Sequence, residues 1–168
     1  MATQYFFNQA NEILLYALTS DTGADSWITW KVGLLSDHVA AYTFVATHDT
    51  WSDIGTAQLE AATNNTGYID IGTGGGQGGS GWTLNLTRTG DTISAEWAVL
   101  PNWSSLDHDD TPANLTGMCL VAYCDLDGVT DNYLFSYHAP TSPLPVNGSD
   151  VDISFASSIN WDLELPNA

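Results

Sequence analysis

The sequence predicts an all-β protein, an antiparallel β-sandwich or jelly roll with a short N-terminal helix, and three observations lead there. Short segments alternating apolar and polar residues recur along most of the chain, as in Val151-Asp152-Ile153-Ser154-Phe155. That period of two sets one face of a strand on a core and the other in water. Turn-forming groups such as Thr89-Gly90-Asp91 separate these segments at the spacing of a sandwich, with no helical stretches of the kind that join parallel strands. The third observation is composition: seven Trp, seven Tyr and five Phe supply the broad side chains that half-buried strands favour.

In chain order, Ile13, Leu14, Ala17 and Leu18 stand at helical spacing with Glu12 in the early turns, which predicts a helix over 8–18 covering one end or face of the domain. Asp21-Thr22-Gly23 breaks that pattern, and 27–35, rich in aromatic and branched residues, reads as the first strand. Further strands are expected at 42–46, 57–61, 66–71, 81–88, 92–100, 117–124, 132–137, 151–155 and 160–165. Thr89-Gly90-Asp91 is a short hairpin-like connection and 125–131 a longer turn. The proline-bearing stretch 139–145 reads as a loop inside the domain, because the strands after it are too few to fold alone. One domain across 1–168 is expected, since a domain of about 150 residues buries close to ~70% of the surface its unfolded chain exposes.

Charge limits the function classes. Twenty acidic residues stand against only Lys31 and Arg88, a formal net charge of −18. Nucleic acid and anionic membrane surfaces are recognised largely through Lys and Arg, so neither is expected as a partner. The aromatic content argues against disorder, and the acidity suits a soluble surface or docking onto a more basic protein. No apolar run approaches the roughly 18 residues of a membrane span. The first twenty residues lack the basic start and small-residue cleavage site of a secretory signal, so synthesis in a cytoplasm is expected. Cys119 and Cys124, five apart in an expected strand, point to opposite faces and read as buried free thiols of a reducing compartment. The Asn-x-Ser/Thr triplets matter only on secretion and are discounted.

Several stretches carry possible chemistry. The segment 71–82 holds seven glycines in twelve residues. A phosphate cradle would need a following helix and, in a P-loop, Lys before Ser or Thr. Trp82-Thr83-Leu84-Asn85-Leu86-Thr87 has strand spacing instead, so 71–82 reads as a loop between two strands. Asp107-His108-Asp109-Asp110 could bind a metal or move protons only if the fold gathered more ligands, because neighbours in an extended segment diverge. Asp125, Asp127 and Asp131 alternate around Gly128 like part of a calcium loop, but the terminal Glu is missing and Asp-Gly is also a favoured hairpin turn. No nucleophile motif is present, no catalytic residue is assigned, and no cofactor is expected. Among the tryptophans, Trp27, Trp82, Trp97 and Trp161 fall in expected strands and read as core. Trp51 and Trp103 fall in expected loops and are the candidates for a ligand or partner contact.

In order along the chain, Trp30-Lys31-Val32-Gly33-Leu34-Leu35, Thr66-Gly67-Tyr68, Gly81-Trp82-Thr83-Leu84, Ala95-Glu96-Trp97 and Gly117-Met118-Cys119-Leu120-Val121-Ala122-Tyr123 form a pattern that resembles small tailed-bacteriophage virion proteins of the capsid decoration, or cement, type. The resemblance spans about 8–165, and the chain departs from it by inserting 71–80. It implies a β-sandwich or jelly roll without enzymatic activity, bound to the major capsid protein on the outside of the head, commonly as a homotrimer. Virion localisation after synthesis in the host cytoplasm follows. Two rivals accompany it: a tail or fibre-associated adhesin whose exposed loops with Trp51 and Trp103 bind host glycans, and a hydrolase built on 107–110.

Overall fold

Two long apolar runs joined through Asp127-Gly128 form the spine of the molecule. In this computed structural model the described residues are 3–19, 28–59, 84–89, 92–97, 102–106, 113–146, 149–152 and 159–162. Along them lie β1 (Thr3–Phe6), α1 (Ala10–Thr19), β2 (Thr29–Ser36), a 3-10 helix (Trp51–Ala57), β3 (Leu84–Thr89), β4 (Thr92–Trp97), β5 (Asn102–Leu106), β6 (Ala113–Leu126), β7 (Val129–Ala139), β8 (Leu144–Val146), β9 (Ser149–Asp152) and β10 (Ile159–Asp162). Every strand pairing among the described residues is antiparallel. The fold is therefore all-β with a short helix near the N-terminus.

The hairpin β6-β7 closes with Leu126 opposite Val129, and Asp127 and Gly128 take φ of 52° and 82°. Two consecutive positive φ values are what a type I′ turn requires, and Asp-Gly meets that demand at low cost. The longer turn expected over 125–131 is thus a two-residue one, because both strands continue to its edge. β2 lines the far side of β6 and β1 the far side of β7, giving the order β1-β7-β6-β2. Leu115 pairs with Ser36 of β2 and with Leu144 of β8, so β8 joins β6 on the side where β7 lies, beyond the end of β7. The proline-bearing loop is correspondingly shorter than expected, and Pro145 sits opposite Asn114. Two further sheets, β10-β4-β3 and β5-β9, complete the description.

Register assigns the two faces of the larger sheet. Gly33, Cys119, Tyr137 and Tyr5 form one transverse row, and Val32, Leu120, Ser136 and Phe6 form a row on the opposite face. Residues 31–36 of β2 are all buried, as is β6 from Leu115 to Ala122 apart from half-buried Thr116. A strand covered on both faces reads as a continuous apolar run, which explains why β2 and β6 lack strict alternation. On one side α1 lies against β7 with Ile13 and Leu14 fully buried. Phe135, the extra residue where the β6-β7 register shifts, makes edge-on contacts with Phe6 and Trp30, at centroid distances of 5.9 and 5.2 Å.

The Gly33 face is closed by residues 37–59. After β2 the chain crosses the sheet in extended form, with Tyr42 against Tyr137 at 5.5 Å and Phe44 stacked on Tyr5 at 4.8 Å. It reaches the outer edge of β1, where the Asn8 amide donates to the Ala46 carbonyl over 3.0 Å. It then returns along β7, with Thr50 bridged to Tyr133, and re-enters as the 3-10 helix, bridging Gln58 to Leu35. This strap holds Trp51, Ile54 and Ala57 in the core with Phe7, Leu35, Cys119, Val121, Leu134 and Tyr137. The strand expected at 42–46 is therefore a crossing without a ladder among the described residues; of the strand expected at 57–61, the described part, 57–59, ends the 3-10 segment, and 60–61 lie outside the described residues. Conversely β1, β5 and β8 form where no strand was expected, while the strand expected at 66–71 lies outside the described residues.

Candidate functional site

The tip of the β6-β7 hairpin carries the three aspartates considered for calcium. Asp125 pairs with Thr130 and Asp131 with Cys124, and directly paired residues share a face, so Asp125 and Asp131 project to opposite sides of the ribbon. Asp131 instead accepts the neighbouring Asn132 amide at 2.6 Å. The three carboxylates do not converge, and among the described residues no group of three His, Cys, Asp or Glu side chains could hold a metal ion. The cluster 107–110 and the glycine stretch 71–82 lie outside the described residues.

Trp51, expected at the surface, is buried at 6% exposure. Its indole lies flat against Gly33, where a Cβ would come within 2.2 Å of the ring. The glycine of the Trp30-to-Leu35 motif is thus the seat of a core tryptophan, and Trp51 has no exposed ring to offer a ligand. Trp103 lies in β5 opposite Val151, in a strand where a loop was expected. The structure does not bring Trp51 and Trp103 together in one sheet.

Polar side chains inside the larger sheet are engaged in structure. Lys31 is buried, with Nζ donating to Asn132 Oδ1 at 2.9 Å and lying 4.4 Å from the centre of the Tyr123 ring. A cation over an aromatic face with an amide oxygen beside it keeps its charge at lower cost than in bare hydrocarbon. Ser136 Oγ and His138 Nε2 are 2.8 Å apart, and burial pushes His138 down to about 4. Cys119 and Cys124 are buried on opposite faces, neither in a disulfide, and burial raises Cys124 to about 11. A thiol so protonated is a poor nucleophile.

The strap is anchored by groups that motif reading passed over. Gln9 Nε2 donates to the carbonyls of Asp49, Leu134 at 2.9 Å and His48 at 3.3 Å, joining the start of α1, the strap and β7 through one amide. Asp37 accepts the Asn114 side-chain amide at 3.0 Å and backbone N–H at 2.6 Å, which hold its carboxyl below the usual 3.8. Asp53 accepts the Thr50 and Asp49 amides, each at 2.9 Å, at the start of the 3-10 helix, and is likewise lowered. Between these acidic pins, 38–48 contains no Asp, Glu, Lys or Arg. Eleven uncharged residues in a chain with 20 acids were the available signal for this segment, and alternation alone did not distinguish it from a strand.

No family model matches the sequence, and neither the curated proteins nor the solved structures contain a match.

Proposed function

We propose that the chain is a structural protein of a tailed-phage virion, a decoration protein that binds the outer surface of the head shell as a homo-oligomer. The observation that carries this reading is the charge distribution. The net charge is −18, and one of the two basic side chains, Lys31, is drawn into the fold against Tyr123 and Asn132. The remaining surface is suited to a basic partner, here the major capsid protein, and repels nucleic acid. The sheet supports the same reading: two of the segments that carry the resemblance, around Gly33 and around Cys119, are adjacent paired strands of a scaffold covered on both faces. Such a scaffold suits a protein whose work is to stay folded while many copies bind a symmetric lattice.

Catalysis has no part in this reading. The adhesin alternative loses one of its two aromatic contacts with the burial of Trp51. Mass spectrometry of separated heads and tails from purified virions tests the proposal. Copies in the head fraction, released by high salt, are expected. Absence from virions, or recovery with tails alone, overturns it.

A further inference from the structure

The outer side of the strap carries a feature that the fold does not use. After a bend at 38–39, residues 40–45 run on without bend or turn, and among the described residues none of 39–44 makes a backbone–backbone hydrogen bond. Tyr42 and Phe44 turn toward the sheet, whereas Ala41, Thr43 and Val45 are exposed, and Val39 is 65% exposed. From 41 to 45 the segment alternates exposed and half-buried residues as a strand does, without a ladder among the described residues. It also lacks the usual guards of an open strand: 38–48 holds no proline, no glycine and no Asp, Glu, Lys or Arg.

The surroundings continue this neutrality. β1 lies under the strap, with Tyr5 stacked on Phe44 and 44% exposed, and residues 2–11 carry no charged side chain. β7 and β8 follow, and 132–149 is equally free of Asp, Glu, Lys and Arg. Three separate uncharged stretches of sequence thus meet at one corner of a protein of net charge −18. A basic partner would be met by an acidic surface. A neutral one suits a partner that is itself strongly acidic, because only there can two such molecules approach without like-charge repulsion.

We infer that the strap is a self-association surface on which residues 39–45 pair antiparallel with the same segment of a second copy. Pairing about a two-fold axis at Tyr42 sets Val39 opposite Val45 of the second copy and Ala41 opposite Thr43. Centring it on Thr43 instead would set Asp37 against Asp49, two like charges, so the sequence selects the first register. The pairing supplies the backbone partners that 39–44 do not find among the described residues, and it buries Val39 and Val45. A two-fold contact of this kind is self-complementary and yields a dimer, or links larger rings in pairs. It stands apart from virion location and holds for the isolated protein.

Light scattering coupled to size exclusion on the purified full chain tests it. The wild type is expected at dimer mass, with the dimer favoured by added salt as the net repulsion is screened. Thr43→Asp should raise the dimer dissociation constant by at least about tenfold. Adding Ala41→Lys should restore the dimer, because the two new charges face each other across the two-fold. Both positions are exposed, and circular dichroism verifies that the variants remain folded. A monomeric wild type at every soluble concentration overturns the inference. So does an oligomer whose mass ignores both substitutions, or a strap protected from protease only when bound to capsids.

Discussion

Residues 29–36 and 39–45 are both largely apolar, they are near neighbours in sequence, and they meet opposite fates. The first becomes β2, paired with β6 at eight positions and buried on both faces from Lys31 onward. The second crosses the same sheet at its surface with no ladder among the described residues, anchored by the rings of Tyr42 and Phe44 and by the pins at Asp37 and Gln9. Alternation of side chains reports a backbone with one face on a core. It does not report whether neighbouring backbones are hydrogen-bonded.

The largest expected effect lies where the two regions meet. Trp51→Ala should cost about 3–5 kcal/mol by emptying the space over Gly33, measured by urea unfolding. Gly33→Ala should cost about 1–3 kcal/mol in the wild type, because its Cβ would overlap the indole. In the Trp51→Ala background most of that cost should vanish, since the obstructing ring is gone. Additive costs would show that the two residues do not touch.

Gln9→Ala follows, at about 1–3 kcal/mol, because three carbonyls lose their shared donor. The loss should be local, with amide exchange faster at Leu134 and at 46–50 and unchanged in β2. Equal acceleration in both regions would make the strap and the sheet one cooperative unit.

Acid should separate the regions in two steps. His138 stays neutral in the fold down to about 4, while an unfolded chain takes up that proton near 6.5. Stability should therefore fall as pH drops from 6.5 toward about 4, and His138→Gln should flatten that limb. Asp37 and Asp53 have lowered values, so their contribution is present above 3.8 and is lost as pH falls below it. Asp37→Asn and Asp53→Asn should remove only this second step. The smallest effect concerns the thiols: at neutral pH, Cys119 and Cys124 should react with a thiol reagent only after unfolding, because both are buried and Cys124 is raised to about 11.

Much of the fold was legible because its signals are local. Ile13 and Leu14 announced α1 through their spacing, and the apolar runs around Val32 and Val121 announced the central strands. The opposed, buried thiols of Cys119 and Cys124 followed from period two alone. The hairpin tip was half legible: Asp127-Gly128 gave the turn, but its tightness depended on how far β6 and β7 continue. What escaped depends on contacts distant in sequence. β1 exists because Tyr5 and Phe6 meet Tyr137 and Phe135, more than 100 positions away. Trp51 looked exposed because its local sequence, Asp49-Thr50-Trp51-Ser52-Asp53, is polar, whereas its burial is decided by the absent side chain of Gly33.

Residue-resolved hydrogen exchange on dilute and concentrated protein tests the central contrast most directly. The account predicts slow exchange throughout β2, β6 and β7 in both samples. It predicts fast exchange at 39–44 in the dilute sample, with protection there as the molecules associate. Protection of 39–44 in the dilute monomer, or exchange that stays fast after association, would contradict it.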